Sequence, residues 1–313
     1  MIVKEIAVKT VLVRSKLPDA DYVVNPYTGC EFGCQYCYAS FTGRVVNEPA
    51  ATWGTYVYAK VNAVSLFEVE LRRMRRTAGA PSLLLSSVTD PYQGAEKRYR
   101  LTRGILEALA REPYPGVVGI LTKSPLVMRD VDVLQSLPGA EVGLTVTTTD
   151  DRLSRFLEVR APLASRRLRT LAALHAAGIR TYAFVGPLLP HFRYDRDALD
   201  AVFAGLANAG VDSVFVEHIN LRPYITQRLR EVLDPEPANI QQVYRDASTA
   251  AHREALAAAI PELLQKYGLR LRLSKVLYHH ERDRGSPLCL LAGRPHAAGD
   301  RRHDHRTVNR GLR

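Results

Sequence analysis

"NPYTGCEFGCQYCYAS", residues 25–40, sets Cys30, Cys34 and Cys37 in the spacing C-x3-C-x2-C. The 313-residue chain holds four cysteines, so three of the four fall in one short stretch among aromatics and glycines. Thiolates this close suit a soft metal. A structural zinc site usually takes four ligands, often as two C-x2-C pairs. The fourth cysteine, Cys289, lies 252 residues beyond Cys37. Three thiolates can instead hold a [4Fe–4S] cluster and leave one iron open to a substrate or cofactor. A zinc ion completed by Cys289 or a histidine, and chemically inert cysteines, are the competing readings.

Outward from this loop, apolar runs and amphipathic stretches alternate. Short runs that read as buried strands are "YVVNP" (22–26), "PSLLLSSVT" (81–89), "GVVGILTK" (116–123), "EVGLTVTT" (141–148), "RTYAFVGPLLP" (180–190) and "VDSVFVEHIN" (211–220). Between them, helical spacing marks 62–77, 101–111, 131–137, 162–177 and 197–208. Phe67, Leu71 and Met74 make one such stripe, and Leu101, Ile105 and Leu109 another. A longer helical stretch, 240–267, is broken at Pro261, and 269–275 reads as a last strand. Six units with continuously apolar strands predict an α/β fold with a parallel sheet, either open or curled into a partial barrel. In such folds chemistry gathers at the C-terminal ends of the strands, and the cysteine loop follows the first strand. The expected organisation is an N-terminal extension (1–21), a core barrel (22–275) and a C-terminal segment (276–313) with a basic, disordered tail.

Composition is that of a globular protein, with 46% hydrophobic and 24% charged residues. No apolar run is long enough to span a membrane, and the start "MIVKEIAVKTVLVRSK" lacks a secretory apolar core. The expected compartment is the cytoplasm, without a disulfide framework. The net charge is +11, and from 282 onward eight Arg face three Asp. A basic excess suits a polyanionic partner, and an Arg-rich solvated surface is the plainer account of it.

C-x3-C-x2-C with an aromatic, Tyr36, before the last cysteine resembles the signature of the radical SAM superfamily. "TDPYQGAEKRYRLTRGILEAL" (89–109), "TKSPLVMRDVDVL" (122–134), "LEVRAPLASRRLRTLAALHAAGI" (157–179) and "GPLLP" (186–190) extend the likeness to the spore photoproduct lyase-like group, over roughly 23–220. The resemblance implies a partial (β/α)6 barrel of the radical SAM type. It also implies a [4Fe–4S] cluster on Cys30, Cys34 and Cys37, S-adenosylmethionine as cofactor, and an external electron donor of flavodoxin or ferredoxin type. Reductive cleavage of S-adenosylmethionine would then give methionine and a 5′-deoxyadenosyl radical, which abstracts a hydrogen atom from substrate.

The same resemblance assigns expected cofactor contacts. Lys123 falls where the methionyl carboxylate is held, and Ser86, Ser87 and Thr89 where its amino group is met. Thr145 and Thr147 fall near the ribose, Gly186 and Pro187 near adenine. Glu217, His218 and Asn220 end the sixth strand. Glu158 and Arg160 of "LEVRAP" are expected to form an ion pair at the mouth, with Val159 where the group usually carries proline. Basic clusters at Arg72, Arg73, Arg75 and Arg76, and at Lys97, Arg98, Arg100 and Arg103, are candidate phosphate contacts.

The resembling lyase repairs a thymine dimer in DNA and carries, at the end of its second strand, a cysteine that returns a hydrogen atom to the product radical. Here "SSVTD" offers Ser87, and a hydroxyl is a far poorer hydrogen-atom donor than a thiol. That catalytic role then falls to Cys289 or to a tyrosine of the cysteine loop, Tyr36 or Tyr38. The implied function is a lyase-like radical SAM enzyme acting on DNA lesions. The alternatives are the same chemistry on tRNA, a peptide or a small metabolite, and a non-enzymatic iron–sulfur or zinc protein.

Overall fold

A computed structural model describes residues 1–111 and 114–278. Cys289 and the basic tail lie outside the described residues. The N-terminal segment forms β1 (Ile2–Ile6) and β2 (Leu12–Arg14), followed by β3 (Tyr22–Val24), β4 (Tyr27–Thr28) and β5 (Tyr56–Lys60). The six-unit core continues through α1 (Ala63–Ala78), β6 (Leu83–Leu85), α2 (Ala95–Tyr99), α3 (Leu101–Arg111), β7 (Val118–Thr122), α4 (Val131–Gln135) and β8 (Ala140–Thr145). Then come α5 (Asp151–Glu158), α6 (Ala164–Ala176), β9 (Arg180–Leu188), α7 (Arg196–Asn208) and β10 (Ser213–His218). Beyond β10 stand α8 (Pro223–Leu233), α9 (Ala238–Asp246), α10 (Ala250–Ala257), α11 (Ile260–Tyr267) and the two-residue β11 (Arg270–Leu271).

The main sheet runs β11-β10-β9-β8-β7-β6-β3-β2. Every pairing in it is parallel except β2 with β3. The expected six parallel strands are therefore β3, β6, β7, β8, β9 and β10, with helices as crossovers. Leu84 and Leu121 on one face of the sheet line a cavity, while Leu83, Leu85, Val118, Ile120, Val142 and Leu144 share the other face and are almost wholly out of water. Each such side chain contributes about 1.5–3 kcal/mol. On α1 the stripe Phe67, Leu71 and Met74 is buried while Arg72, Arg73 and Arg76 are exposed. A second sheet, β1-β5-β4, carries the start of the cysteine loop on β4. No helix among the described residues is long and apolar enough to cross a membrane.

Several elements differ from expectation. The run 81–89 yields only the three-residue β6, because Ser86 turns to φ +68 and Asn25 Oδ1 accepts from the backbone N–H groups of Ser87 (3.0 Å) and Val88 (3.2 Å). The stretch 240–267 is divided among α9, α10 and α11, with Pro261 in the first turn of α11, where its missing N–H costs nothing. The last strand shrinks to β11 because Leu273 and Ser274 take positive φ.

Candidate active site

The cysteine loop is pinned from below and from the side. Gly29 sits at φ +85, and a Cβ there would come within 2.5 Å of the Tyr56 carbonyl, so only glycine fits. The Gly29 carbonyl accepts from Thr89 Oγ1 (2.5 Å) and Gln93 Nε2 (3.3 Å). Gln93 Oε1 in turn accepts from the Glu31 N–H at 2.9 Å. Tyr27 donates to Glu96, which also accepts from Arg129 at 2.8 Å. Further along, the Gln35 N–H bonds the Leu157 carbonyl at 2.8 Å. Most of these partners come from the "TDPYQGAEK" segment, which follows β6.

So held, Cys30, Cys34 and Cys37 are free thiols lining a cavity of about 250 Å³ at the C-terminal ends of the strands. No group of three or more His, Cys, Asp or Glu side chains among the described residues is gathered to hold a single ion. The thiols instead share a cavity wall, which suits a multi-iron group that meets each ligand at a different iron. Burial pushes all three thiols up, Cys34 to about 12. Without metal they are protonated, and any metal group they bound would have to displace those protons.

The cavity also gathers Ser86, Ser87, Thr89, Lys123, Thr145, Gly186 and Glu217 with Tyr36 and Tyr38, as well as Pro187, His218 and Asn220. Ser86 Oγ is buried and has no hydrogen-bond partner, an orphaned donor and acceptor on a residue of the cavity lining. Thr89, by contrast, spends its hydroxyl on Gly29 and Gln93. Lys123 Nζ lies 5.8 Å from the centre of the Tyr36 ring, on the cysteine side of the cavity. Thr147 is not in the cavity lining: β8 stops at Thr145, the strand alternation ends, and Thr147 Oγ1 turns to Glu158 Oε1 at 3.2 Å. Burial, with Arg253 and His252 nearby, holds His218 down at about 4, so it is neutral near pH 7.

The expected Glu158–Arg160 pair does not form. Val159 takes φ 37 and sends Arg160 the other way, to the carbonyls of Gly54 and Glu31. Glu158 pairs instead with the fully buried Arg167 of α6. It also accepts from Tyr36, Thr147 and Ser154. Burial pushes this carboxyl up, but the charges of Arg167 and Lys123 and its hydrogen bonds outweigh that and hold it at about 2. Arg103 is likewise engaged, by Glu107, Asp130 and Asp132, and is not open to a phosphate. Lys97, Arg98 and Arg100 remain exposed.

Other cavity residues carry no obvious sequence signal. Asp90 is buried beside the thiols, accepting from Thr122 Oγ1 (2.7 Å), Tyr92 N–H (2.9 Å) and Lys123 N–H (2.8 Å). It thereby joins the ends of β6 and β7. Burial still raises its pKa. Tyr182, Phe184 and Phe215 form an aromatic wall, and Asp19 enters from the loop before β3. Arg272 lies over the Tyr182 and Phe215 rings at 4.6 and 4.8 Å and pairs with Glu141 at 2.8 Å.

Comparisons with known proteins agree with this arrangement. The family model described as "Radical SAM superfamily" matches residues 24–216. An uncharacterized protein of Methanocaldococcus jannaschii is 32% identical over 219 residues, covering 70% of this chain and 78% of that one. An uncharacterized protein of Mycobacterium tuberculosis is 32% identical over 282 residues, covering 82% of this chain and 78% of that one. Among solved structures, spore photoproduct lyase complexed with dinucleoside spore photoproduct shares the fold at a TM-score of 0.64 and 16% identity, covering 88% of this chain and 82% of that one.

Proposed function

The chain belongs to the radical SAM superfamily, and on that premise we propose that Cys30, Cys34 and Cys37 hold its [4Fe–4S] cluster and that its substrate is a lesion in DNA. The enzyme's cofactors are that cluster and S-adenosylmethionine, which when bound supply a hydrogen-abstracting 5′-deoxyadenosyl radical. The observation that carries this reading is the meeting of three free thiols, Lys123 and the orphaned Ser86 hydroxyl on one cavity.

Within it, the Lys123 ammonium is the group to bind the methionyl carboxylate, and Ser86 the one to accept from the amino group. Thr145 and Glu217 can bond the ribose hydroxyls. Gly186 and Pro187 let adenine approach closely, a Cβ at Gly186 being denied by the Phe184 ring. Tyr182 and Phe215 keep water from the reacting end. Tyr36 orients the loop, its hydroxyl committed to Glu158. Tyr38, whose hydroxyl donates to the Ser87 carbonyl, is the O–H group beside the position where the repair enzyme carries its thiol. It is the candidate to return a hydrogen atom, with Cys289 the alternative.

Replacing Lys123 with Ala should weaken S-adenosylmethionine binding by about 1–3 kcal/mol, the cost of a lost charge-assisted hydrogen bond. Equilibrium binding to the reconstituted protein measures this, and unchanged affinity would reduce Lys123 to a solvated lysine.

The DNA reading draws support from the +11 charge, the exposed Lys97, Arg98 and Arg100 and the fold shared with a lyase solved with its dinucleoside lesion. Ser87 in place of a thiol favours a second reading, a different substrate such as tRNA, a peptide or a metabolite. The deciding assay incubates the dithionite-reduced enzyme with a thymine-dimer oligonucleotide under strict anaerobiosis. Restored thymines together with 5′-deoxyadenosine are expected. Vigorous S-adenosylmethionine cleavage with an untouched lesion would transfer the assignment to the second reading.

A further inference from the structure

Helix α8 begins beyond the residues matched by the family model, yet it reaches back to the cysteine loop. Its Arg228 donates through Nε to the Gln35 carbonyl at 2.8 Å. Through Nη2 it donates to the Cys37 carbonyl at 2.9 Å and to Ser40 Oγ at 3.3 Å. Nη1 is buried and has no hydrogen-bond partner. Among the described residues no carboxylate forms an ion pair with this guanidinium. Of the neighbouring cations, Arg167 is neutralised by Glu158, and Lys123 faces the cavity beside Tyr36, where it also acts on the thiols. A half-buried guanidinium with an idle donor is costly unless some other anion compensates it. Glu231 of the same helix acts on it from beyond ion-pair distance, and the groups of the loop it grips that become anionic are the thiols.

We propose that Arg228 is the fixed counter-ion of the cluster and sets its reduction potential. The proposal rests on Cys30, Cys34 and Cys37 being the cluster ligands. One-electron reduction adds a negative charge to the cluster, and a cation held nearby in a poorly screened environment favours the more negative state. Removing it must make the cluster harder to reduce. Because α8 belongs to the segment after the sixth strand, the C-terminal helices would thereby contribute to the potential at which the site accepts an electron.

The test reconstitutes the parent protein, Arg228→Gln and Arg228→Lys anaerobically, counts iron, and follows each cluster by electron paramagnetic resonance in a redox titration. The Gln protein should hold parental iron but show, at a fixed potential, a ratio of reduced to oxidised cluster about tenfold lower, which is 59 mV for one electron. The Lys protein, which keeps the charge and loses the fork, should titrate close to the parent. A Gln protein that titrates with the parent, or a Lys protein that titrates with Gln, overturns the proposal. If Gln fails to hold iron, Lys decides. Parental iron and potential in Lys support the charge, whereas iron lost from both makes Arg228 a backbone clamp and overturns it. Absence of iron from the parent itself would instead strike at the ligand assignment, and only then do both fall together.

Discussion

Replacing Cys34 with Ala is expected to abolish S-adenosylmethionine cleavage. The thiol is buried, and Cys30 and Cys37, the other free cysteines among the described residues, are already spent as ligands. Iron after anaerobic reconstitution should fall from about four per chain to well below one. The same holds for Cys30 and Cys37, since each would bind a different iron. Iron analysis and 5′-deoxyadenosine release under dithionite measure both effects together. Full cleavage by the Cys34→Ala protein would end the assignment, and with it the functional reading of the loop.

The second large effect concerns stability. Arg167→Met should destabilise the fold by about 3–5 kcal/mol, because it leaves the Glu158 charge buried and uncompensated. The sign follows because Arg167 is the chief charge that holds this carboxyl at about 2 against burial: without it the buried carboxyl either stays charged and unpaired or takes up a proton, and both cost stability. The double change Glu158→Gln with Arg167→Met removes both charges and should recover most of the loss. Urea unfolding of the two single variants and the double one measures this coupling. Equal destabilisation by the single and double changes would mean that lost packing, not the stranded charge, is the cause. Tyr36 donates to Glu158, so the Arg167 variant should also lose iron more readily.

What could be read without coordinates was whatever local pattern determines. Six apolar runs had no solvent-facing alternation, and parallel strands buried on both faces leave that trace. The cysteine spacing is a property of one loop, and a short stretch states it in full. What escaped depends on pairing across the fold. Glu158 has five arginines within ten residues, Arg152, Arg155, Arg160, Arg166 and Arg167, and the choice of Arg167 over Arg160 turns on the backbone of Val159, which no residue type reveals. Thr147 looked equivalent to Thr145 by alternation, but alternation stops where β8 stops. Asp90 stood within the quoted "TDPY" as one acidic residue among many, and only its three hydrogen bonds single it out. Helix α8 carries an evident apolar stripe of Ile225, Leu229 and Leu233, yet nothing near it announces that its polar side meets a loop 193 residues earlier.

That long reach bears on the order of events during synthesis. The cysteines and the first clamps of their loop, from Thr89 and Gln93, emerge early from the ribosome, but the last clamps emerge late: the Leu157 carbonyl, then Tyr224, which donates to the Tyr38 carbonyl at 3.0 Å, then Arg228. Contacts so distant in sequence form only after most of the chain is available. A nascent chain halted before α8 would display three thiols on a loop that lacks the Tyr224 and Arg228 clamps. Under the proposed ligand assignment, a cluster inserted before α8 is made would sit on a loop still missing its last clamps.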